Sequence, residues 1–261
     1  SIVFRSPRTS HARFLKLFTV PVGGGQPTEV PLPMAEEGSL SPDGKRIAYV
    51  PFSNKPQFPG AFRPVRNYRG GTASPVWVAD LADSSMTKVP RADSNDFNPM
   101  WVGDRVYFLS DRDGPTTLFV YDIATRDVRR ALAPTPIDIK SASACGDAIV
   151  FDRMGALHLF DLKEEKSRPI PVRVAADLPG VRPRLEKLAK HVHKAGLSPT
   201  GARALFEARG EVLTVPAEKG DVRNLTETTG ACERDPAWSP DGKSVAYFSD
   251  ESGEYQLHVR A

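Results

Sequence analysis

The chain has 261 residues, 40% hydrophobic and 26% charged, the composition of a globular protein and not of a disordered, fibrous or membrane-embedded one. Lys and Arg number 35 against 32 Asp and Glu, and the cations are scattered along a chain of formal charge +3, so nothing calls for nucleic acid or an anionic membrane. Two cysteines, Cys145 and Cys232, are too few for a disulfide scaffold, and no apolar run approaches the roughly 18 residues of a membrane helix, so a soluble chain is expected.

Glycine (20) and proline (24) punctuate short β-branched and aromatic runs throughout, which predicts many strands and many turns. In chain order, residues 1–5 read as a strand, 14–22 as its partner before the Gly23-Gly24-Gly25 turn, and 27–31 as a short third strand. A hairpin built on Ser-Pro-Asp-Gly occupies 39–50, followed by strands at 76–81 and 87–90. The pattern returns at 101–108 with a shortened turn and a strand at 117–123, and again at 145–151 with a strand at 156–162. It recurs as Ser-Pro-Thr-Gly within 197–206, with strands at 211–216 and 222–225, and as Trp-Ser-Pro-Asp-Gly within 238–248. Residues 255–261 read as a last strand. In each Pro-Asp-Gly the proline presets φ, the aspartate makes an Asx-type bond, and the glycine takes the positive φ that closes the hairpin, so the tetrapeptide signals a turn and not a site.

With Val3, Ile47, Val106, Ile149, Leu205 and Val245 taken as equivalent, the intervals are 44, 59, 43, 56 and 40 residues. A period of about 40–45 residues is that of a four-stranded propeller blade. The two long intervals require insertions, at residues 51–74 and 174–194. The fold class predicted is all-β, a β-propeller of four-stranded antiparallel blades, truncated at both ends because the chain starts and stops inside strands. An export signal could then be missing with the N-terminus. Trp101 and Trp238 share a repeat position and are expected to fill the layer between blades.

Several motifs together resemble the amino-terminal propeller region of bacterial tricorn proteases. They are Leu-Pro-Met-Ala-Glu-Glu-Gly at 32–38, Tyr-Arg-Gly-Gly-Thr at 68–72 with Trp77, Phe-Asn-Pro-Met-Trp-Val-Gly at 97–103, and Ser-Asp-Arg-Asp-Gly at 110–114. The likeness continues through 195–203 and Ser-Asp-Glu-Ser-Gly-Glu-Tyr at 249–255. The resemblance implies that residues 1–173 are the last four blades of a six-bladed propeller, 174–194 an inter-propeller linker, and 195–261 the first two blades of a seven-bladed one. A single six-bladed ring fits the anchor count equally. The resemblance also implies a parent serine-type peptidase whose PDZ-like and catalytic domains, the chain's expected partners, lie elsewhere. This region would channel or sieve unfolded oligopeptide substrates, in a cytoplasmic homo-oligomer.

The residues themselves carry no visible catalytic constellation. There is no Gly-x-Ser-x-Gly elbow, no His-Glu-x-x-His and no cysteine pair for zinc, so no catalytic residue, cofactor or metal is predicted. His191 and His193 would share a strand face but lack a third ligand, while His158 and His258 occupy matching strand positions suited to packing. The best candidate for a peptide or domain contact is the 51–74 insertion, with Arg66, Tyr68 and Arg69. The competing readings are a TolB-like propeller acting as a protein–protein scaffold and the gating propeller of a prolyl-oligopeptidase-type hydrolase.

Overall fold

The computed structural model describes residues 1–11, 14–52, 68–176, 187–228 and 230–261. Among these the chain forms antiparallel sheets in which strands follow one another in sequence order. Sheet I contains β1 (Ile2–Ser6), β2 (Lys16–Val20) and β3 (Thr28–Glu29). Sheet II contains β4 (Glu37–Leu40), β5 (Arg46–Val50), β6 (Trp77–Asp80) and β7 (Met86–Lys88). Sheet III contains β8 (Asp96–Val102), β9 (Arg105–Ser110), β10 (Thr117–Asp122) and β11 (Val128–Arg130). Sheet IV contains β12 (Ser141–Cys145), β13 (Ala148–Arg153), β14 (Ala156–Asp161) and β15 (Lys166–Ile170). Sheet V contains β16 (Val192–Leu197), β17 (Arg203–Ala208), β18 (Glu211–Pro216) and β19 (Arg223–Asn224). Sheet VI contains β20 (Glu233–Trp238), β21 (Val245–Ser249) and β22 (Gln256–Arg260).

The chain divides into two compact units, Ser1–Val172 with sheets I to IV and Arg173–Ala261 with sheets V and VI. A 3-10 turn at Leu188–Lys190 precedes β16, which begins at Val192, and residues 177–186 of the anticipated linker lie outside the described part.

The Ser-Pro-Asp-Gly turns work through their serine as well as their aspartate. Ser41 Oγ donates to Asp43 Oδ1 at 2.6 Å and accepts the Arg46 amide at 2.9 Å, while Asp43 also accepts the Lys45 amide at 3.1 Å. The second copy repeats this: Ser239 Oγ lies 2.5 Å from Asp241 Oδ1 and accepts the Ser244 amide at 2.9 Å. Gly44 and Gly242 hold φ of 69° and 70°, a region a side chain strains to enter. The serine hydroxyl is the first cause, and the following amide the second, that holds both carboxyls below the usual aspartate range. In the Ser-Pro-Thr-Gly copy the two hydroxyls of Ser198 and Thr200 are 3.5 Å apart, so the uncharged turn is more loosely tied.

Alternation along the strands builds the cores. Val106 and Phe108 of β9 enter a cluster with Ala48, Val50 and Val78 of sheet II, while Tyr107 and Leu109 enter one with Ile149, Phe151 and Phe160 of sheet IV. Leu17, Val30, Ile47 and Tyr49 close the layer between sheets I and II, and Leu205, Val212, Val245 and Tyr247 that between V and VI. Trp101 is buried in the layer between sheets II and III under the Arg46 guanidinium, and Trp238 packs against the V–VI layer, so both tryptophans fill inter-sheet layers.

Two of the six sequence anchors are displaced by one residue. Trp238 pairs with Val245 and Leu40 with Ile47 across the turn, and the matching pair in sheet V is Leu197 with Ala204, not Leu205. In sheet I the cross-strand pair Phe4–Phe18 matches Phe108–Phe119, which makes Ile2, not Val3, the equivalent of Val106. The displacement reverses the face: Leu205 packs toward sheet VI, whereas Val245 packs toward sheet V. In sheet V the more hydrophobic Leu205 masks Ala204, whereas in sheet I Ile2 and Val3 are both apolar and hydropathy does not separate them.

The corrected register exposes a feature the sequence did not suggest. A ring pair bridges the two middle strands at one fixed position: Phe4–Phe18, Tyr49–Trp77, Phe108–Phe119, Phe151–His158 and Tyr247–His258, with centroids 5.1–6.1 Å apart. The two histidines are therefore packing groups of their sheets.

Candidate functional site

The end of sheet III that carries Ser-Asp-Arg-Asp-Gly holds a polar network. Asp96, fully buried at the start of β8, accepts hydrogen bonds on Oδ1 from Ser94 Oγ (2.9 Å) and Ser110 Oγ (2.6 Å). Its Oδ2 meets Arg112 Nη2 at 2.9 Å. The Arg112 guanidinium lies over Phe108 and Phe119, 5.2 and 5.0 Å from their centroids, and donates through Nε to Ser110 Oγ at 3.1 Å. Two rings, a hydroxyl and a carboxylate thus enclose one cation, which compensates a charge that would otherwise be expensive to bury.

Next to it, Asp111 accepts the Asn95 amide on Oδ1 at 2.7 Å. Its Oδ2 accepts Asn95 Nδ2 at 2.9 Å and Arg69 Nη1 at 2.8 Å. Asn95 Nδ2 also donates to the Tyr68 carbonyl at 2.9 Å. The end of the insertion is thereby pinned to sheet III by Arg69 and the Tyr68 backbone. Of the three predicted contact residues, Tyr68 and Arg69 are brought together here, with Arg69 engaged by Asp111, and Arg66 lies outside the described residues.

A second polar feature, an open recess of about 360 Å³, is lined by Arg5, Glu36, Glu37, Gly38, Asn98 and Pro99. Asn98 sits in a bulge of β8 with φ 54°, its amide donating to Glu37 Oε2 at 2.5 Å. Its side chain exchanges two bonds with Ala142 of sheet IV, Nδ2 to the carbonyl at 2.8 Å and the amide to Oδ1 at 3.2 Å. Asp235 repeats the bulge in β20, with φ 53° and its amide on Glu207 Oε2 at 2.8 Å. Carboxylates thus recur beside bent first strands, a pattern that no single-residue motif in the sequence signalled.

Nothing in the described residues assembles a nucleophile with its base. His158 and His258 stack on Phe151 and Tyr247, and His158 is held below the usual imidazole range by burial and, secondarily, by Arg153. His191 caps the 3-10 turn and His193 lies on β16, so the two do not share one strand face. Among the described residues no group of three or more His, Cys, Asp or Glu is placed to hold a metal, and Cys145 and Cys232 are exposed free thiols. No helix among them is long and apolar enough to cross a membrane.

A sequence profile described as the tricorn protease N-terminal beta propeller domain matches residues 1–166, which contain sheets I to III and the first three strands of sheet IV. The chain belongs to the tricorn protease N-terminal β-propeller family. It is 25% identical over 250 residues to a tricorn protease homolog of Saccharolobus solfataricus, covering 96% of this chain and 22% of that protein. It is 29% identical over 199 residues to tricorn protease homolog 1 of Streptomyces coelicolor, covering 74% of this chain and 18% of that one. Among solved structures, a crystal structure of the tricorn protease aligns over 98% of this chain and 38% of its own, at 15% identity and a TM-score of 0.41. The chain therefore spans about a fifth of the length of these curated relatives. Ser-Asp-Arg-Asp-Gly, quoted for the resemblance, was readable as a motif; that its serine and arginine serve a buried Asp96 was not, because the aspartate lies 14 residues earlier on a neighbouring strand.

Proposed function

We propose that this chain is a non-catalytic propeller region of a tricorn-type serine peptidase, through which unfolded oligopeptides reach a catalytic domain carried elsewhere in the parent protein. The observation that carries this reading is the repeat of meander sheets, stacked face to face through shared apolar layers, in a chain of the tricorn N-terminal family. Such sheets set radially about an axis make a passage that admits an extended chain and excludes a folded one. The described residues offer bent first strands with carboxylates, Asn98 and Arg5, suited to transient polar contact with a peptide backbone.

In this reading residues 1–173 are the last four blades of one propeller, 174–194 a linker, and 195–261 the first two blades of another. The division at Val172/Arg173 supports it. So does the free face of sheet VI. Phe248, Leu257 and Val259 are 40%, 63% and 69% exposed, while their counterparts Leu109, Leu118 and Val120 are 0–3% exposed beneath sheet IV. A further blade following sheet VI would cover them. The parent's peptidase activity, its PDZ-like and catalytic domains as partners, and its homo-oligomeric assembly belong to the same proposal.

The test is size selectivity in the full-length parent. Deleting residues 1–173 should leave cleavage of short fluorogenic peptides within a few-fold while admitting larger substrates. Unchanged selectivity would sink the sieve. Hydrolysis of peptides by the purified 261-residue chain alone would sink the non-catalytic reading.

A further inference from the structure

Sheet VI repeats the cation enclosure of sheet III with its cation removed. Glu233 starts β20 as Asp96 starts β8, and each is paired with a serine at the end of the next strand, Ser249 or Ser110. Each has its own amide bonded to a carbonyl of the preceding sheet, Gly210 at 2.8 Å and Ser74 at 2.7 Å. The loop that follows is also superposable in its bonding. Asp250 Oδ1 accepts the Cys232 amide at 2.7 Å, as Asp111 accepts that of Asn95 at 2.7 Å. The amides of Glu251 and Arg112 both reach the serine hydroxyl at 3.2 Å. Beneath the loop lie the rings of Tyr247 and His258, which occupy the places of Phe108 and Phe119.

The residue that fills the enclosure differs in charge. Where sheet III has Arg112, sheet VI has Glu251, exposed and of opposite sign. Glu233 is 1% exposed; its Oε1 accepts from Thr228 Oγ1 (2.7 Å) and Ser249 Oγ (3.0 Å), and its Oε2 is buried without a hydrogen-bond partner. In sheet III the matching oxygen is the one that meets the guanidinium. A carboxylate oxygen buried without a donor is costly, and the fold tolerates it where a ligand supplies the missing group.

The geometry points to a guanidinium receptor in sheet VI, formed by Glu233 Oε2, Ser249 Oγ and the Tyr247–His258 ring pair, that takes the side chain of an arginine presented by another polypeptide. A planar cation fits: it stacks on rings while donating edge-on to a carboxylate and a hydroxyl, as Arg112 does, whereas a compact ammonium has no planar face or fork of donors to match that arrangement. Glu251 at the rim adds attraction for the incoming charge. The receptor stands on sheet VI alone and holds whether or not the chain channels peptides. If it does, arginine-bearing segments are the ones retained.

Isothermal titration of the 261-residue chain with N-acetyl-L-arginine amide should show saturable one-site binding in the millimolar range, and N-acetyl-L-lysine amide should bind at least about tenfold more weakly. Glu251→Arg, which restores the cation of sheet III from within, should abolish the binding and raise the unfolding midpoint of the transition reported by Trp238. Glu233→Gln should also abolish it. Because Glu233 is buried in β20 and Glu251 is exposed, Glu251→Arg is the deciding variant. Absence of saturation at about 100 mM probe, equal binding of the lysine amide, or binding retained in Glu251→Arg would each overturn the assignment.

Discussion

Replacing Arg112 by methionine isolates the energetics of the sheet III enclosure. The substitution keeps an unbranched apolar chain beside Phe108 and Phe119, shorter than arginine, while the guanidinium over the rings and its bonds to Asp96 Oδ2 and Ser110 Oγ disappear. Asp96 has no exposed surface and keeps only two neutral hydroxyl donors, Ser94 and Ser110. Stranding a buried carboxylate in this way costs about 3–5 kcal/mol, far above the roughly 0–1 kcal/mol of an exposed pair such as Arg130–Asp113. With a guanidinium-chloride slope of about 4 kcal/mol per molar, the midpoint should fall by about 1 M. The assay is denaturation followed by tryptophan fluorescence. Trp77 and Trp101 report the first unit and Trp238 the second, so the shift should appear in the former's transition alone. Adding Asp96→Leu to Arg112→Met should recover most of the loss, since both charges are then gone. A single variant that loses less than about 1 kcal/mol, or a double variant no better than the single, would refute the argument that the pair is needed because Asp96 is buried.

Three further outcomes follow from the same geometry. Thr200→Asp, which gives the loose turn the carboxylate of its two counterparts, should stabilise the second unit by about 0.5–1 kcal/mol in chemical denaturation. Because burial and Arg153 lower the folded-state pKa of His158 beneath its unfolded value near 6.5, the unfolded chain binds more protons there; stability should decline as pH falls from 6.5 toward the depressed value, and His158→Phe should flatten that limb of the pH–stability curve. Replacing Phe248, Leu257 and Val259 together by Lys, Ser and Thr should change stability by no more than about 0.5 kcal/mol per site while reducing self-association in light scattering, whereas the same exchange at Leu109, Leu118 and Val120 should unfold the first unit.

Much of the fold was legible in the sequence because its signals are local. Pro-Asp-Gly fixes a hairpin within six residues, and strand periodicity places the flanking strands, so 117–123 and 156–162 were located to within a residue of Thr117–Asp122 and Ala156–Asp161. Which face each strand turns to its neighbour was less legible. With apolar residues on both faces, Leu205 looks a better anchor than Ala204 and Val3 is no worse marked than Ile2, so only the cross-strand register separates them. The polar enclosures were hidden for a further reason: Asp96–Arg112 and Glu233–Ser249 join residues 16 apart, from one strand to the next strand or the turn beyond it, and hydropathy gives a buried carboxylate no mark. Arg69 showed the opposite case. Its charge suggested an outward contact, yet Asp111 and the Tyr68 carbonyl already engage it.

Within each sheet of the described residues, the hydrogen-bonded neighbours are strands consecutive in the chain. A whole sheet is consequently one uninterrupted stretch of gene, removable or duplicable without rerouting any other. Its hairpins can also zip up as soon as they emerge from the ribosome, before distant parts exist. The burden this places on the molecule falls at the faces between consecutive sheets, where Leu109, Leu118 and Val120 stay adhesive until sheet IV forms over them, so synthesis order itself protects the growing stack.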